Sequence, residues 1–130
     1  TRRRRQRQMC IRDRHVSCAH EPEWFTTAPR KAIQRVLRKS KMKHTDIDLW
    51  EINEAFSVVA MAAIDDLKIP PSKVNIYGGA VALGHPIGAS GARILTTLIH
   101  GMGKTSSNLG LASLCIGGGE ASAIIVKRYD

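Results

Sequence analysis

Residues 47–67 read IDLWEINEAFSVVAMAAIDDL, and a change of texture inside this stretch decides the fold. Ile47 to Ile52 reads as a short strand rich in bulky apolar residues. Asn53 to Leu67 then reads as a strongly apolar helix, stopped by Pro70-Pro71, because proline lacks the N–H that a helix interior needs. Towards the N-terminus, Thr27-Ala28-Pro29 places a proline at the start of a periodic segment, where its missing donor does little harm. Ile33, Val36 and Leu37 follow at i, i+3, i+4, with Arg35, Arg38 and Lys39 on other faces, which predicts an amphipathic helix of about three turns. Towards the C-terminus, Val74 to Tyr77 alternates as a strand and runs into Gly78-Gly79. A glycine-punctuated loop to Gly91 precedes a nearly all-apolar helix over Ser90 to Met102, whose only charge is Arg93 and which is expected to be buried on most sides. After a loop from Gly103 to Asn108 come two strands, Gly110–Cys115 and Ser122–Lys127, with Gly117-Gly118-Gly119 between them. Strands and helices alternate and close with a hairpin-like pair, so the expected class is α/β, with helices packed on a sheet.

The chain has 130 residues, enough for one domain with a modest core, and 43% of them are hydrophobic. Its longest strongly apolar stretch, Ala55 to Ile64, is far short of the roughly 20 residues that a bilayer-crossing helix needs. Membrane insertion is therefore not expected, and the N-terminal arginines lead into no apolar segment of a signal peptide. The formal charge of +9 points towards nucleic acid until its distribution is read. Seven arginines and Asp13 give residues 1–14 a charge of +6, which leaves an ordinary +3 for the other 116 residues.

Residues 1–18, TRRRRQRQMCIRDRHVSC, carry no hydrophobic period and read as an unstructured basic tail. One alternative is a basic arm for nucleic acid or a membrane surface. Another is a metal site through Cys10, His15, Cys18 and His20, although their spacing misses the usual zinc pattern. The favoured reading is that the tail is foreign, since QRQMCIRDR resembles translated sequencing-adapter sequence. Residues 19–130 then form the domain. The three cysteines, Cys10, Cys18 and Cys115, imply no disulfide framework and suit a reducing intracellular compartment.

Chemistry is concentrated where predicted strands end, as in α/β folds generally. Asn53, at the strand-to-helix junction, either caps the helix or presents a rigid amide to a water or a substrate carbonyl. His85 lies between Gly84 and Pro86, either as a general base near neutrality or as a structural histidine bonded to a carbonyl. Cys115 precedes three glycines whose N–H groups are free to face an anion. Those dipoles and a nearby histidine would lower its thiol pKa, whereas the alternative is a buried, inert cysteine. Gly103-Lys104-Thr105 looks like the end of a phosphate loop, but position 98, where the first glycine belongs, is Leu98.

Four strings, EPEWFTTAP (21–29), NEAF (53–56), KVNIYGGAVALGHPIGASGARI (73–94) and LCIGGGEASA (114–123), together resemble the thiolase family, most closely its acetyl-CoA acetyltransferases. The resemblance runs from about Ala19 to Asp130 and implies a partial C-terminal thiolase domain. The implied reaction interconverts two acetyl-CoA with acetoacetyl-CoA plus CoA through an acyl-cysteine. By the same resemblance, His85 activates the nucleophilic cysteine and Cys115 is the acid/base that makes or protonates the carbanion. Asn53, through a water, and His85 would stabilise the enolate oxygen, while the Gly117 N–H would join a second oxyanion hole. Phe25, Ala55 and Phe56 would line the coenzyme A channel.

The family needs no cofactor beyond coenzyme A thioesters as substrates; in its potassium-activated members the carbonyl at the position of Val81 helps to hold the ion. Its partners are acyl-CoA and CoA, with no nucleic acid, and its members are usually dimers or tetramers of the mitochondrial matrix or cytoplasm. Its nucleophilic cysteine belongs to an N-terminal half that is not among these residues, so the 130-residue chain alone is expected to be inactive. A longer-chain 3-ketoacyl-CoA thiolase and a nucleic-acid-binding module acting through the arginine tail are the alternatives. The spatial expectation is that His85 and Cys115 face one cavity.

Overall fold

The computed structural model describes residues 14–129. Its strands are β1 (His15–Ala19), β2 (Leu49–Ile52), β3 (Leu109–Ile116) and β4 (Glu120–Lys127). Its helices are α1 (Ala28–Lys39), α2 (Ser57–Leu67), the single turn α3 (Ala80–Leu83) and α4 (Ser90–Thr105). Short 3-10 turns occupy Pro22–Thr27, His44–Asp46 and Pro71–Lys73. The sheet runs β1-β4-β3-β2. β4 is antiparallel to both β1 and β3, whereas β2 is parallel to β3. A parallel pair needs a long crossover, and the chain between β2 and β3, with α2, α3 and α4, supplies it.

Helices cover both faces of this sheet. α1 buries Ala28, Pro29, Ala32, Ile33, Val36 and Leu37, a helical stripe that packs with Trp50, Ile52, Leu111 and Ile125. On the other face, Ile94, Leu98 and Met102 of α4 pack on Leu49, Ala112 and Val126. Gly110 of β3 lets α4 lie flush, since a methyl there would come within 2.9 Å of Leu98. All four residues of β2 are buried because helices stand on both sides of it.

Both sheet edges are closed by side chains. Arg35 and Lys39 of α1 donate to the carbonyls of Ser17 and His15 on β1, at 3.2 and 3.5 Å. Along β2, Asn75 takes the place of a strand residue. Its Oδ1 accepts from the Ile52 N–H at 2.9 Å, its Nδ2 donates to the Ile52 carbonyl at 2.8 Å, and its N–H donates to the Trp50 carbonyl at 2.9 Å.

The α/β class holds, with four local corrections. Residues 15–18 are not an unstructured tail but part of β1, whose Val16 and Cys18 pack against the α1 core. The basic-arm reading of residues 1–13, and Cys10 in the metal reading, lie outside the described residues. Val74–Tyr77 is not a strand: Val74 makes one parallel bridge to Trp50, and Asn75 then turns the chain at φ 49°. The helix expected from Asn53 begins at Ser57, with Phe56 at its cap position in extended conformation. α4 is buried along one face only, leaving Ile99 43% exposed, and it runs on to Thr105.

Candidate active site

The loop carrying His85 is tied to the end of β2 by a carboxylate. Glu54 Oε2 accepts from the Val81 N–H at 3.1 Å, and Asn75 Nδ2 lies 3.5 Å from Glu54 Oε1. Gly79 makes this possible, because a Cβ there would overlap the Glu54 carboxylate. After α3 the chain turns at Gly84, and the Pro86 carbonyl accepts from the N–H groups of both Ala89 and Ser90 at 2.8 Å. His85 is thereby set between a braced turn and the first residue of α4.

The His85 ring meets two buried side chains. Ser90 Oγ lies 2.6 Å from Nδ1 and donates to the Pro86 carbonyl at 3.1 Å. With the hydroxyl proton on the Pro86 carbonyl, Ser90 Oγ accepts from Nδ1–H and Nε2 keeps a free lone pair; with it on Nδ1, the ring proton sits on Nε2. Asn53 Nδ2 lies 3.4 Å from the same Nδ1. An amide nitrogen only donates, so this contact is a hydrogen bond when Nδ1 carries no proton. Asn53 is 1% exposed and does not cap α2, and its N–H donates to the Ser113 carbonyl at 2.9 Å.

Cys115 comes from β3, opposite Ala121 of β4, two residues before the hairpin of Gly117 to Gly119. Gly118 and Gly119 have φ near +85°, which glycine adopts without strain. A Cβ at Gly119 would also strike the carbonyl of His20, whose N–H donates to the Gly119 carbonyl at 3.0 Å. The Cys115 side chain is buried, and that burial pushes its thiol pKa up, against a smaller lowering by a backbone hydrogen bond. This reverses the expectation of a lowered thiol: desolvation outweighs the surrounding dipoles.

Two segments distant in sequence therefore open on one space. A cavity of about 340 Å³ is lined by His85, Cys115, Gly117, Gly118, Phe25 and Ala55, with Pro22, Ile87, Leu114 and Ile116 completing it. Phe56 does not line the cavity; it is 62% exposed and packs edge-on against Phe25, ring centroids 6.0 Å apart. Val81 stands 67% exposed on α3. Among the described residues no group of three or more His, Cys, Asp or Glu side chains is placed to hold a metal.

Ser90, Glu54 and Glu51 are missing from the sequence-predicted site. Ser90, fully buried, makes the shortest contact to the histidine ring; the only signal was its position five residues after His85 at a predicted helix start. Glu51 is 3% exposed, and burial, reinforced by Glu54 and opposed by Arg93, pushes its carboxyl up to about 7. Alternation along β2 marks it, since a glutamate in a strand buried on both faces needs an explanation.

The family model described as "Thiolase, C-terminal domain" matches residues 7–128. A protein of Staphylococcus aureus strain NCTC 8325 / PS 47 described as a probable acetyl-CoA acyltransferase is 47% identical over 121 residues, covering 93% of this chain and 30% of that protein. Its counterpart in strain N315 matches to the same extent. Among solved structures, the Acat5 thiolase of Ascaris suum, crystallised in complex with coenzyme A, superposes with a TM-score of 0.84 at 51% identity, covering 88% of this chain and 30% of that one. The chain thus spans about a third of the length of these relatives.

Proposed function

Because this chain belongs to the thiolase family, as a C-terminal domain, we propose that it supplies the acid–base half of an acyl-CoA C-acyltransferase site, most specifically one that interconverts two acetyl-CoA with acetoacetyl-CoA plus CoA. The observation that carries this reading is the convergence of His85, Cys115 and the Gly117 backbone on one cavity. The nucleophilic cysteine would come from outside these 130 residues. Cys18 is a poor substitute, since it sits on β1 with its thiol donating to the Ala28 carbonyl at 3.6 Å.

In the cleavage direction, His85 Nε2 takes the proton of the nucleophilic thiol, and the thiolate attacks the keto carbon of the 3-ketoacyl thioester. The bond between that carbon and C2 breaks, and its electron pair passes to C2 as an enolate. Cys115, held as a neutral thiol by burial, gives its proton to C2 and releases acetyl-CoA. The incoming CoA thiol then loses its proton to the Cys115 thiolate and takes the acyl group from the nucleophile. A thiol whose resting form is protonated suits this order of events. Asn53 does not line this cavity but lies against His85, and the two would act on the enolate oxygen with a water between. The Gly117 N–H would donate to the oxyanion at the acyl-enzyme carbonyl, where one donor is worth about 10²–10³ in rate.

Ala55 and Phe25 line the cavity and would contact the coenzyme A arm, with Phe56 supporting Phe25 from behind. A potassium ion at Val81 would need ligands from beyond this chain, and no step above depends on it.

The test is thiolysis of acetoacetyl-CoA, and of a longer 3-ketoacyl-CoA, by the purified 130-residue chain and by a longer protein carrying this domain. We expect no turnover from the chain alone and turnover from the longer protein, with acetoacetyl-CoA preferred. Cys115→Ser and His85→Ala should each lower kcat by about 10²–10⁴. Ordinary enzyme rates from the 130-residue chain, or full activity in both variants, would falsify the reading.

A further inference from the structure

Successive side chains of a strand point to opposite faces. In β2 this sends Leu49, Glu51 and Asn53 towards α4, and Trp50 and Ile52 towards α1 and α2. Glu51 and Asn53 are 3% and 1% exposed. Each has one buried oxygen, Glu51 Oε1 and Asn53 Oδ1, with no hydrogen-bond partner in the protein. Leaving such an atom unsatisfied costs about 1–3 kcal/mol. Beside both lies a second cavity of about 10 Å³, distinct from the main one and lined also by Gly79, Leu83, Arg93 and Thr97. That is room for a single water, which needs polar partners to stay. A water has two protons to give, and the two orphaned atoms are both acceptors.

We propose that Glu51 is a positioning residue: through one buried water shared with Asn53 Oδ1, it holds the Asn53 amide in place against His85. Without that link Asn53 has only its 3.4 Å ring contact to orient its side chain. The other charged groups acting on Glu51 are Glu54, from the loop after β2, and Arg93, from α4. Arg93 itself reaches the Leu83 carbonyl at 3.5 Å and so closes one wall of the small cavity. Only the kinetic consequence rests on the reading of Asn53 and His85 as catalytic; the water and the side-chain geometry do not.

The experiment uses a longer protein carrying this domain, with Glu51→Leu and Glu51→Gln variants, high-resolution structures of each, and steady-state thiolysis. The wild type should show one ordered water bonded to Glu51 Oε1 and Asn53 Oδ1. E51L should lose that water and lower kcat by about tenfold to a hundredfold. Its KM should stay within about twofold, with kcat taken per folded active site so that a smaller folded fraction is not counted as lost catalysis. E51Q keeps an acceptor oxygen and should recover most of the lost kcat. A dry cavity in the wild type, or an E51L protein with unchanged kcat and Asn53 geometry, overturns the proposal. If E51L does not fold, the wild-type water and E51Q decide alone. A wild type with no thiolase turnover would overturn the acyltransfer reading instead, and the structural arm would still judge Glu51.

Discussion

At His85, the proposed role of Nε2 depends on where the ring proton sits, and the shortest contact to the ring is the Ser90 hydroxyl at Nδ1. The proposal needs the ring proton on Nδ1, with Ser90 Oγ accepting it at 2.6 Å while donating to the Pro86 carbonyl at 3.1 Å. Ser90→Ala removes that acceptor, so the Nδ1-protonated tautomer loses its advantage. We expect kcat in thiolysis to fall by about tenfold or more with little change in KM. Nitrogen-15 NMR of His85 should report a mixed tautomer in the variant. Glu51 makes a second prediction at this scale. Its folded pKa, about 7, lies above the ordinary 4.5, so the native state holds this proton more tightly than the unfolded chain does. The stability this gives is fully present below about pH 4.5 and is lost as pH rises through about 7. Denaturant titrations across that range should show a downward slope in the wild type that E51Q lacks. The sequence marks His85 and Cys115 through the glycines and proline around them. It does not mark Ser90 or the raised thiol of Cys115, because a tautomer and a desolvation penalty both depend on neighbours that only folding supplies.

Among the elements, the strand-like reading of Val74 to Tyr77 shows how a local pattern is overridden. Alternation of apolar and polar residues suggested a strand, yet Asn75 adopts a left-handed conformation and gives its side chain to β2. Asparagine tolerates that conformation better than most residues, and its amide offers a donor and an acceptor in the spacing of a peptide group. Asn75→Ala should leave the Ile52 N–H and carbonyl without these partners and destabilise the fold by about 1–3 kcal/mol, readable by chemical denaturation. Asn75→Asp sets a carboxylate oxygen against the Ile52 carbonyl and the Glu54 carboxylate, so it should cost more than Asn75→Ala. The opposite error occurs at β1, where His15 to Cys18 reads from sequence as part of a patternless basic tail. Its alternation is real: Val16 and Cys18 turn inwards while His15, Ser17 and Ala19 face solvent. Five residues are a weak signal beside seven arginines. Pairing with β4 decided the matter.

Over the whole molecule, the sheet is covered unevenly. α1 packs on β1, β3 and β4, whereas α4 lies over β3 and β2. Beside α4 an apolar groove remains, lined by Leu95, Ile99, Met102, Ile124 and Val126. For the isolated chain we expect concentration-dependent association, seen as a rising mass in sedimentation, and Ile99→Glu should suppress it without loss of helix content. Exposed apolar surface of this kind is unfavourable in water and is relieved by contact. The sequence by itself determined the alternation of strands and helices, the α1 stripe and the glycine-flanked histidine and cysteine. These are local in origin: periodicity, proline and glycine act over a few residues. Only the tertiary structure decided that β1 joins the sheet, that Asn75 closes an edge, that buried Asn53 and Ser90 meet the His85 ring, and that buried Glu51 shares a small cavity with Asn53. Such features arise from pairings between residues far apart in the chain, whose strength depends on the water that folding removes.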